Sequence, residues 1–313
     1  MTPGADTVRT VLGDRHLGAA DLVWDYHEHL FQVTPLLPGD ELDDEASSAA
    51  EAALLRRAGA AAVVEATPVG LGRRPAAVAR ISASTGLAVV HATGAHREVH
   101  YPGHPLLDEG TDALAARFRR DLLEGMDGTG VLAGVVKAGV GLWSVTAFER
   151  RVLEAVGRVA AETGAPVVVH LEHASAAHEV LDALAALGCP ETRVALAHVD
   201  RNPDPGLHLE LAARGALLGY DGAARHQRWP DSALVDCLAA VVEGGGGAHV
   251  LLGGDVARAS RYVSYGGMPG LAYLFDRFVP RVARAVGDDA LDAVLRANPA
   301  RWLAWEPPAG RQP

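Results

Sequence analysis

Four histidines and one aspartate in this chain have the residue types and the spacing of a metal site. His27 and His29 are separated by one residue, and alternate residues of a strand point to the same side, so both imidazoles can reach one ion. His170, His198 and Asp255 each come at the end of a separate apolar run. Imidazole and carboxylate groups together suit Zn, Mn, Co or Fe(II).

A single lysine accompanies these groups. Lys and Arg together number 28, and Lys137 is the only lysine among them. It ends the apolar run 131–137, which predicts a buried strand. A lone buried ammonium is costly, so we expect chemistry or a charge partner at this position. The alternative is a lysine at the edge of the core that reaches solvent, a role that arginine serves equally well.

The candidate ligands outnumber the needs of one tetrahedral zinc ion. Two ions about 3.5–4 Å apart that share a hydroxide fit the count better. A lysine that has reacted with CO₂ becomes an anion with two oxygens, one for each ion, whereas arginine cannot play this part. The sequence therefore predicts two divalent ions bridged by carbamylated Lys137, with zinc favoured and Mn, Co or Fe as alternatives.

Eight apolar strands alternate with helices and must position these groups. The predicted strands span 21–27, 61–66, 87–93, 131–137, 166–170, 193–198, 216–221 and 249–255. The predicted helices lie near 46–58, 74–85, 111–125, 146–163, 175–187, 206–214, 231–243 and 270–286. Eight such units predict a (β/α)8 TIM barrel with the site at its C-terminal mouth. A doubly wound open sheet is the alternative, but it needs a glycine-rich phosphate loop where this chain has histidines.

The composition predicts one domain over residues 1–313. Residues 1–20 are expected to cover the base of the barrel or to form a hairpin, and 307–313 to be a frayed tail. The net charge of -11 argues against nucleic-acid and membrane partners. Cys189 and Cys237 are isolated, which favours free thiols in a reducing cytoplasm, and no signal pattern is visible. We expect a small-molecule substrate and leave a homodimer open.

The polar strand ends resemble those of the phosphotriesterase family of the amidohydrolase superfamily, over about residues 27–298. The motifs that carry the resemblance are Tyr26-His27-Glu28-His29, Gly134-Val135-Val136-Lys137, Thr163-Gly164-Ala165-Pro166 ahead of His170, Ala197-His198-Val199-Asp200, Gly219-Tyr220-Asp221, Leu252-Gly253-Gly254-Asp255 and Asn298-Pro299. All six ligand positions of the family are filled. The resemblance implies that the more buried ion is held by His27, His29 and Asp255. It implies that the more exposed ion is held by His170 and His198, and that carbamylated Lys137 bridges the two ions.

This resemblance implies a metal-dependent hydrolase. The segment 264–270 is similar to the lactonase-like and uncharacterised branches, so we expect hydrolysis of a lactone or related carboxylic ester by a bridging hydroxide. Asp255 is expected to accept the proton of the hydroxide and to pass it to the leaving alkoxide, with His198 helping to relay it outward. The chain departs from the family pattern at two places. Glu65 stands where the family usually has Asp, and Ala95-His96 follows Gly94 where the family often has Tyr after the glycine. These departures affect the identity of the substrate rather than the metal site.

Loops at the mouth are expected to select the substrate. The candidate substrate residues are Tyr101, Arg225, Arg258, Tyr262 and Tyr265. The same loops also carry His96, Arg97, His104, His226, Trp229 and Arg261. Several arginines near one mouth can bind a phosphate or carboxylate of the substrate, although each of them can instead be solvated and paired with an aspartate.

Three other functions stay open at this point. Amide or phosphoester hydrolysis uses the same dinuclear centre, which serves acyl and phosphoryl transfer alike. A metal-free Schiff-base aldolase would also place Lys137 at the end of a barrel strand, but it needs no histidines at four strand ends. A non-catalytic binding protein tends to lose ligands, and none of the six is missing.

Overall fold

The computed structural model of the chain describes residues 7–16 and 22–305. The first range is a hairpin of two antiparallel strands, β1 (Thr7–Thr10) and β2 (Gly13–His16). The hairpin packs where the barrel strands begin, and the Trp305 backbone N–H donates to the Thr7 carbonyl oxygen at 3.0 Å. The predicted tail at 307–313 lies outside the described residues, as do residues 1–6 and 17–20 of the predicted extension.

Eight parallel strands form one sheet in which the strand order follows the chain. They are β3 (Trp24–Glu28), β4 (Ala62–Glu65), β5 (Ala88–Gly94), β6 (Val135–Gly139), β7 (Val167–His170), β8 (Val194–Ala197), β9 (Leu217–Tyr220) and β10 (Val250–Leu252). The segment after β10 returns to β3, because the Asp255 backbone N–H donates to the His27 carbonyl oxygen at 2.9 Å. The sheet is a nearly closed barrel, and the predicted (β/α)8 fold is confirmed.

Helices cover the outside of the barrel. They are α1 (Glu45–Ala58), α2 (Pro75–Thr85), α3 (Thr111–Leu123), α4 (Ala147–Thr163), α5 (Ala177–Ala186), α6 (Pro205–Ala213), α7 (Asp231–Val241), α8 (Val279–Val286), α9 (Asp288–Asp292) and α10 (Asn298–Leu303). The helix predicted at 270–286 begins later, with a π-helical segment at Leu274–Phe278 that continues into α8. Within the described ranges, no helix combines the length and the apolar character that a membrane span needs.

Local sequence signals explain where the longest helix begins and ends. The Thr146 side chain accepts a hydrogen bond from the Glu149 backbone at 3.2 Å, and the Glu149 carboxylate accepts one from the Thr146 backbone at 3.0 Å. This reciprocal pair satisfies two free N–H groups and starts α4. Gly164 ends the helix at φ 75°, a left-handed conformation that favours glycine.

Apolar side chains fill the lower part of the barrel interior. Trp24, Val64, Val135 and Val168 belong to this inner core, which is distinct from the larger layer between the strands and the helices. Trp302 of α10 closes the floor, with its indole N–H donating to a backbone carbonyl of β7 at 3.1 Å. Because the lower layers are occupied, the polar groups of the strand ends are confined to the upper part of the barrel.

The fourth barrel strand starts at Val135 rather than at residue 131 as predicted. The run that precedes it passes against the hairpin, where a Cβ atom at Gly134 would lie 2.3 Å from the Arg9 carbonyl oxygen. Only glycine permits this approach. Lys137 therefore lies within β6 rather than at its end, and its neighbours in the sheet are Gly94 and Val168.

Candidate metal centre

One cavity of about 230 Å³ lies at the C-terminal ends of the barrel strands. The six predicted ligands all line it: His27, His29, Lys137, His170, His198 and Asp255. Each is at most 5% exposed. They come from five different strands or the residues that follow them, so barrel closure brings together groups that are far apart in the chain.

Asp221, the residue after β9, orients two of these histidines. Its Oδ2 accepts a hydrogen bond from His27 Nδ1 at 3.2 Å, and its Oδ1 accepts one from His198 Nδ1 at 2.6 Å. Burial raises the pKa of the Asp221 carboxyl, but the two histidines outweigh this effect and hold the pKa well below its usual range. A carboxylate only accepts, so both rings carry their proton on Nδ1 and turn an Nε2 lone pair inward.

Thr67 gives His29 the same orientation. The Thr67 hydroxyl donates to the Phe31 carbonyl oxygen at 2.6 Å, so it can only accept from His29 Nδ1, which is also 2.6 Å away. The proton of His29 is therefore on Nδ1, and its Nε2 carries a lone pair. This Nε2 lies 3.5 Å from Oδ1 of Asp255.

Glu172 orients the fourth histidine in the opposite sense. Its Oε1 accepts from His170 Nε2 at 3.0 Å, which leaves Nδ1 as the unprotonated nitrogen of His170. That Nδ1 lies 2.8 Å from Nε2 of His198, whose proton is on Nδ1. Two lone pairs therefore face each other inside the protein.

This arrangement fits divalent transition metal ions. Facing lone pairs repel unless a cation lies between them, and burial lowers the pKa of His29 and His198 to about 3, so protons do not fill this role at neutral pH. His27 Nε2 is buried and has no hydrogen-bond partner among the described residues. It lies 3.8 Å from the Asp255 carboxylate, and nitrogen and oxygen donors of this kind suit zinc and its neighbours.

The Lys137 side chain is completely buried among these groups. Its Nζ donates to the Ala66 carbonyl oxygen at 2.9 Å. Burial lowers the pKa of the amine to about 8, against the opposing charges of Asp255 and Glu65. The lowered pKa increases the neutral fraction of the amine, and a neutral amine is the form that reacts with CO₂.

Asp255 faces two arginines as well as the histidines. Arg225 donates to both its backbone carbonyl oxygen and its Oδ2, and Arg201 lies 3.3 Å from the same Oδ2. Burial raises the pKa of the Asp255 carboxyl, but the charge of Arg225 and the histidines together hold it well below its usual range. The group is a carboxylate that can bind a cation or accept a proton.

The structure separates the predicted substrate residues into two groups. Arg225 and Arg258 line the cavity, whereas the three tyrosines do not. The Tyr101 hydroxyl donates to the Val69 carbonyl oxygen and Tyr262 donates to that of His29, while Tyr265 bonds to the start of α1. Their hydroxyls hold loop backbones in place, and their contact with substrate stays a prediction.

Positive charge dominates the rim of the cavity. Six arginines line it, namely Arg97, Arg201, Arg225, Arg228, Arg258 and Arg261. Among the described residues that line the same cavity, Asp255 is the one acid. Arg228 pairs with His173, and Arg261 donates to the Ala224 carbonyl oxygen at 3.5 Å, so within the described part of the chain neither guanidinium is paired with a carboxylate. This surplus of guanidinium groups suits an anionic ligand.

Sequence reasoning missed the groups that set the histidine protons. The sequence pattern gives Asp221 only as part of a motif and does not indicate Thr67, Glu172 or Arg201. Asp221 follows a strand directly, a position shared with the predicted ligands, and this was the available signal. Thr67 and Glu172 lie in loops after β4 and β7, and their sequence context carries no comparable signal.

Comparison with known proteins agrees with this geometry. The profile of the phosphotriesterase family matches residues 5–303. A phospho-furanose lactonase of Mycoplasmopsis synoviae is 28% identical, over 95% of this chain and 92% of the relative. An N-acetyltaurine hydrolase of Danio rerio is 27% identical, over 94% of this chain and 88% of the relative. The crystal structure of a lactonase from Listeria monocytogenes superposes with a TM-score of 0.90 at 29% identity, covering 96% of this chain and 99% of that one. The chain therefore belongs to the phosphotriesterase family of metal-dependent hydrolases.

Proposed function

We propose that this protein is a dinuclear metal-dependent lactonase whose substrate carries a phosphate or a similar anionic group. The observation that carries the proposal is the orientation of the four histidines, each with its proton on the outer nitrogen and a lone pair toward the cavity. A barrel core that needed only packing would not arrange four buried lone pairs in this way.

The lone pairs divide into two sets. His27 and His29 face the Asp255 carboxylate at 3.8 and 3.5 Å, and this set is proposed to hold the more buried ion. His170 and His198 face each other at 2.8 Å and are proposed to hold the more exposed ion. Lys137 lies within the same cavity, and its carbamate would supply one oxygen to each ion.

When bound, the two ions would polarise the substrate carbonyl and supply hydroxide at neutral pH. The Asp255 carboxylate is proposed to take the proton of the attacking oxygen and to return it to the leaving alkoxide. Arg201 and Arg225 contact Asp255 and keep it ionised, so that it is ready to accept this proton. Asp221 fixes the tautomer of His198, which keeps the Nε2 lone pair of this ring directed into the cavity.

Two findings support an anionic substituent on the substrate. Six arginines and one acid line the cavity, and guanidinium groups bind phosphate and carboxylate oxygens in pairs. A relative along almost the whole chain is named a phospho-furanose lactonase. A sugar lactone with a phosphate fits both the ions at the bottom of the cavity and the arginines at its rim.

The metal content tests the proposal directly. We expect the purified protein to hold close to two divalent transition metal ions per chain, because two sets of inward lone pairs are present. Removal of the ions by a chelator should abolish lactone hydrolysis, and adding zinc should restore it. Elemental analysis and initial rates measure the two results. Full activity in a metal-free sample would contradict the proposal.

Amide hydrolysis is the second candidate function. The relative named N-acetyltaurine hydrolase aligns with most of this chain, and N-acetyltaurine is an amide with an anionic sulfonate. The same ions and the same arginines would serve such a substrate. A screen of the metal-loaded protein against phosphorylated lactones, simple esters, N-acyl amino sulfonates and phosphotriesters separates these functions by their kcat/KM values.

Arg258 provides a prediction about the anionic group. Its nearest carboxylate among the described residues, Asp40, is 3.9 Å away, so its guanidinium is available to a ligand. We expect R258Q to raise the KM of a phosphorylated lactone by about 10-fold, the loss of one charge-assisted hydrogen bond, and to leave a neutral lactone of the same ring unaffected. The control is R80Q, which removes an arginine paired with Glu45 on the outer helices. Equal effects on the two lactones would exclude Arg258 from anion binding.

A reducing location is also part of the proposal. Cys189 and Cys237 are both buried and unpaired, and burial raises the pKa of each thiol to about 11. Such thiols are unreactive and need no oxidising compartment, which supports the cytoplasm.

A further inference from the structure

Glu172 contacts three side chains of the site through one carboxylate oxygen. Its Oε1 lies 3.0 Å from His170 Nε2, 2.9 Å from a guanidinium nitrogen of Arg97 and 3.5 Å from one of Arg201. The side chain is 15% exposed, so these interactions are largely shielded from water. Glu172 lies outside the ligand set, yet it connects one of the ligands to two arginines of the rim.

The loop after β7 holds Glu172 in this place. The Ser175 backbone N–H and hydroxyl both donate to the Glu172 carbonyl oxygen, at 3.0 and 2.6 Å. His173 and Ala174, the next two residues, are both in the left-handed region at φ 55°. This tight turn directs the Glu172 side chain back toward His170 rather than into solvent.

We propose that Glu172 is a positioning residue that fixes the ring of His170 with its Nδ1 lone pair inward and at the same time holds Arg97 and Arg201 at the rim. The inference rests on the proposed dinuclear centre and extends it to a residue that is not a ligand. A carboxylate behind a ligand imidazole fixes its tautomer and raises its basicity. The same negative charge offsets two guanidinium groups that would otherwise lie next to a cation site.

This arrangement predicts a selective loss when Glu172 is removed. Without the carboxylate, His170 can carry its proton on either nitrogen and can rotate, so the site formed by His170 and His198 weakens. The histidines of the other site keep their partners, because His27 is held by Asp221 and His29 by Thr67, and Arg225 still contacts Asp255. A general loss of folding would instead weaken both sites together.

The experiment is a zinc titration of the full-length protein after chelator treatment. We expect E172A to bind one ion with wild-type affinity and the other about 10–100-fold more weakly, the usual cost of losing such a partner. E172Q keeps an oxygen that can accept from His170, so its loss should be smaller than that of E172A. The matched control is E210Q, since Glu210 pairs with His178 at 3.5 Å on the protein surface. Its two affinities should equal those of the wild type.

A second measurement reads the tautomer without any metal. Nitrogen-15 NMR of histidine-labelled, metal-free protein should show a protonated Nε2 on His170 in the wild type and in E210Q, and a mixture of tautomers in E172A. An E172A variant that keeps both zinc affinities and the wild-type tautomer would overturn the role of Glu172. A wild type that binds fewer than two ions would instead refute the dinuclear centre, and the NMR result would still decide whether Glu172 sets the tautomer.

Discussion

Replacement of Lys137 by arginine is expected to reduce metal-dependent hydrolysis to background. The lysine amine is fully buried beside the ligands, and burial lowers its pKa to about 8, so it can be neutral and react with CO₂. A guanidinium stays charged, cannot form a carbamate and would place a positive charge between two cations. Initial rates and zinc content of K137R measure the result. An active K137R enzyme would show that the bridge is not a carbamate.

A companion variant separates loss of chemistry from loss of folding. K137A should fold, because it removes a costly buried amine, but it should lose zinc and activity. A short carboxylic acid supplied together with zinc should restore part of the activity by occupying the place of the carbamate. K137M, which fills the same volume with an apolar chain, should fold equally well and should resist this rescue. Rescue of both variants would point to an effect of the acid elsewhere.

The second large effect is expected at Asp255. We expect D255N to lower kcat by roughly 10²–10⁴-fold, the usual scale for loss of a general base. The amide cannot accept the proton, whereas the native carboxyl is held ionised by Arg225 and the histidines. The acid limb of the pH–rate profile, where a protonated base stops working, should shift or vanish. The fold should survive, because Asp255 lies at the barrel mouth rather than in the packed layers.

The control for this variant is D231N. Asp231 is as fully buried as Asp255 and bonds to Tyr273 and Arg281, but it lies in the outer layer at the start of α7. Because Asp231 also accepts from the Ala224 backbone next to Arg225, we expect D231N to lower the melting temperature and to change kcat far less than D255N does. A D255N variant with near-normal kcat would move the base to His198 and leave Asp255 as a ligand only.

The fold was predictable because each strand carries its own signal. Buried parallel strands appear as apolar runs, and these runs alternate with helical segments, so the element order and the barrel follow from the sequence alone. The start of β6 was not predictable. Residues 131–134 are as apolar as the strand, but the Ala133 backbone N–H donates to the Asp121 carbonyl oxygen of α3, and Gly134 lies against the Arg9 carbonyl oxygen of the hairpin.

The grouping of the six candidate ligands in one cavity could be predicted for the same reason, whereas their hydrogen-bond partners could not. Each ligand follows or lies in an apolar run, and the barrel brings the ends of those runs together. Glu172 is positioned by a turn in which residues 173 and 174 are both left-handed. These residues are His and Ala, so the sequence lacks the glycine that would predict such a turn. The position of the tyrosines relative to the cavity could not be predicted, because an aromatic residue near the mouth has the same sequence signature whether it lines the cavity or, like Tyr262, holds a loop backbone.

The burial of Lys137 has a consequence for the reaction of the folded, metal-free chain with acylating reagents. Most proteins present many amines at their surface, but the one lysine of this chain has no exposed area. A reagent can therefore acylate a side-chain amine only after it has entered through the barrel mouth. Labelling at residue 137 of the metal-free protein, followed by mass spectrometry, would measure access through the mouth with no background from other lysines.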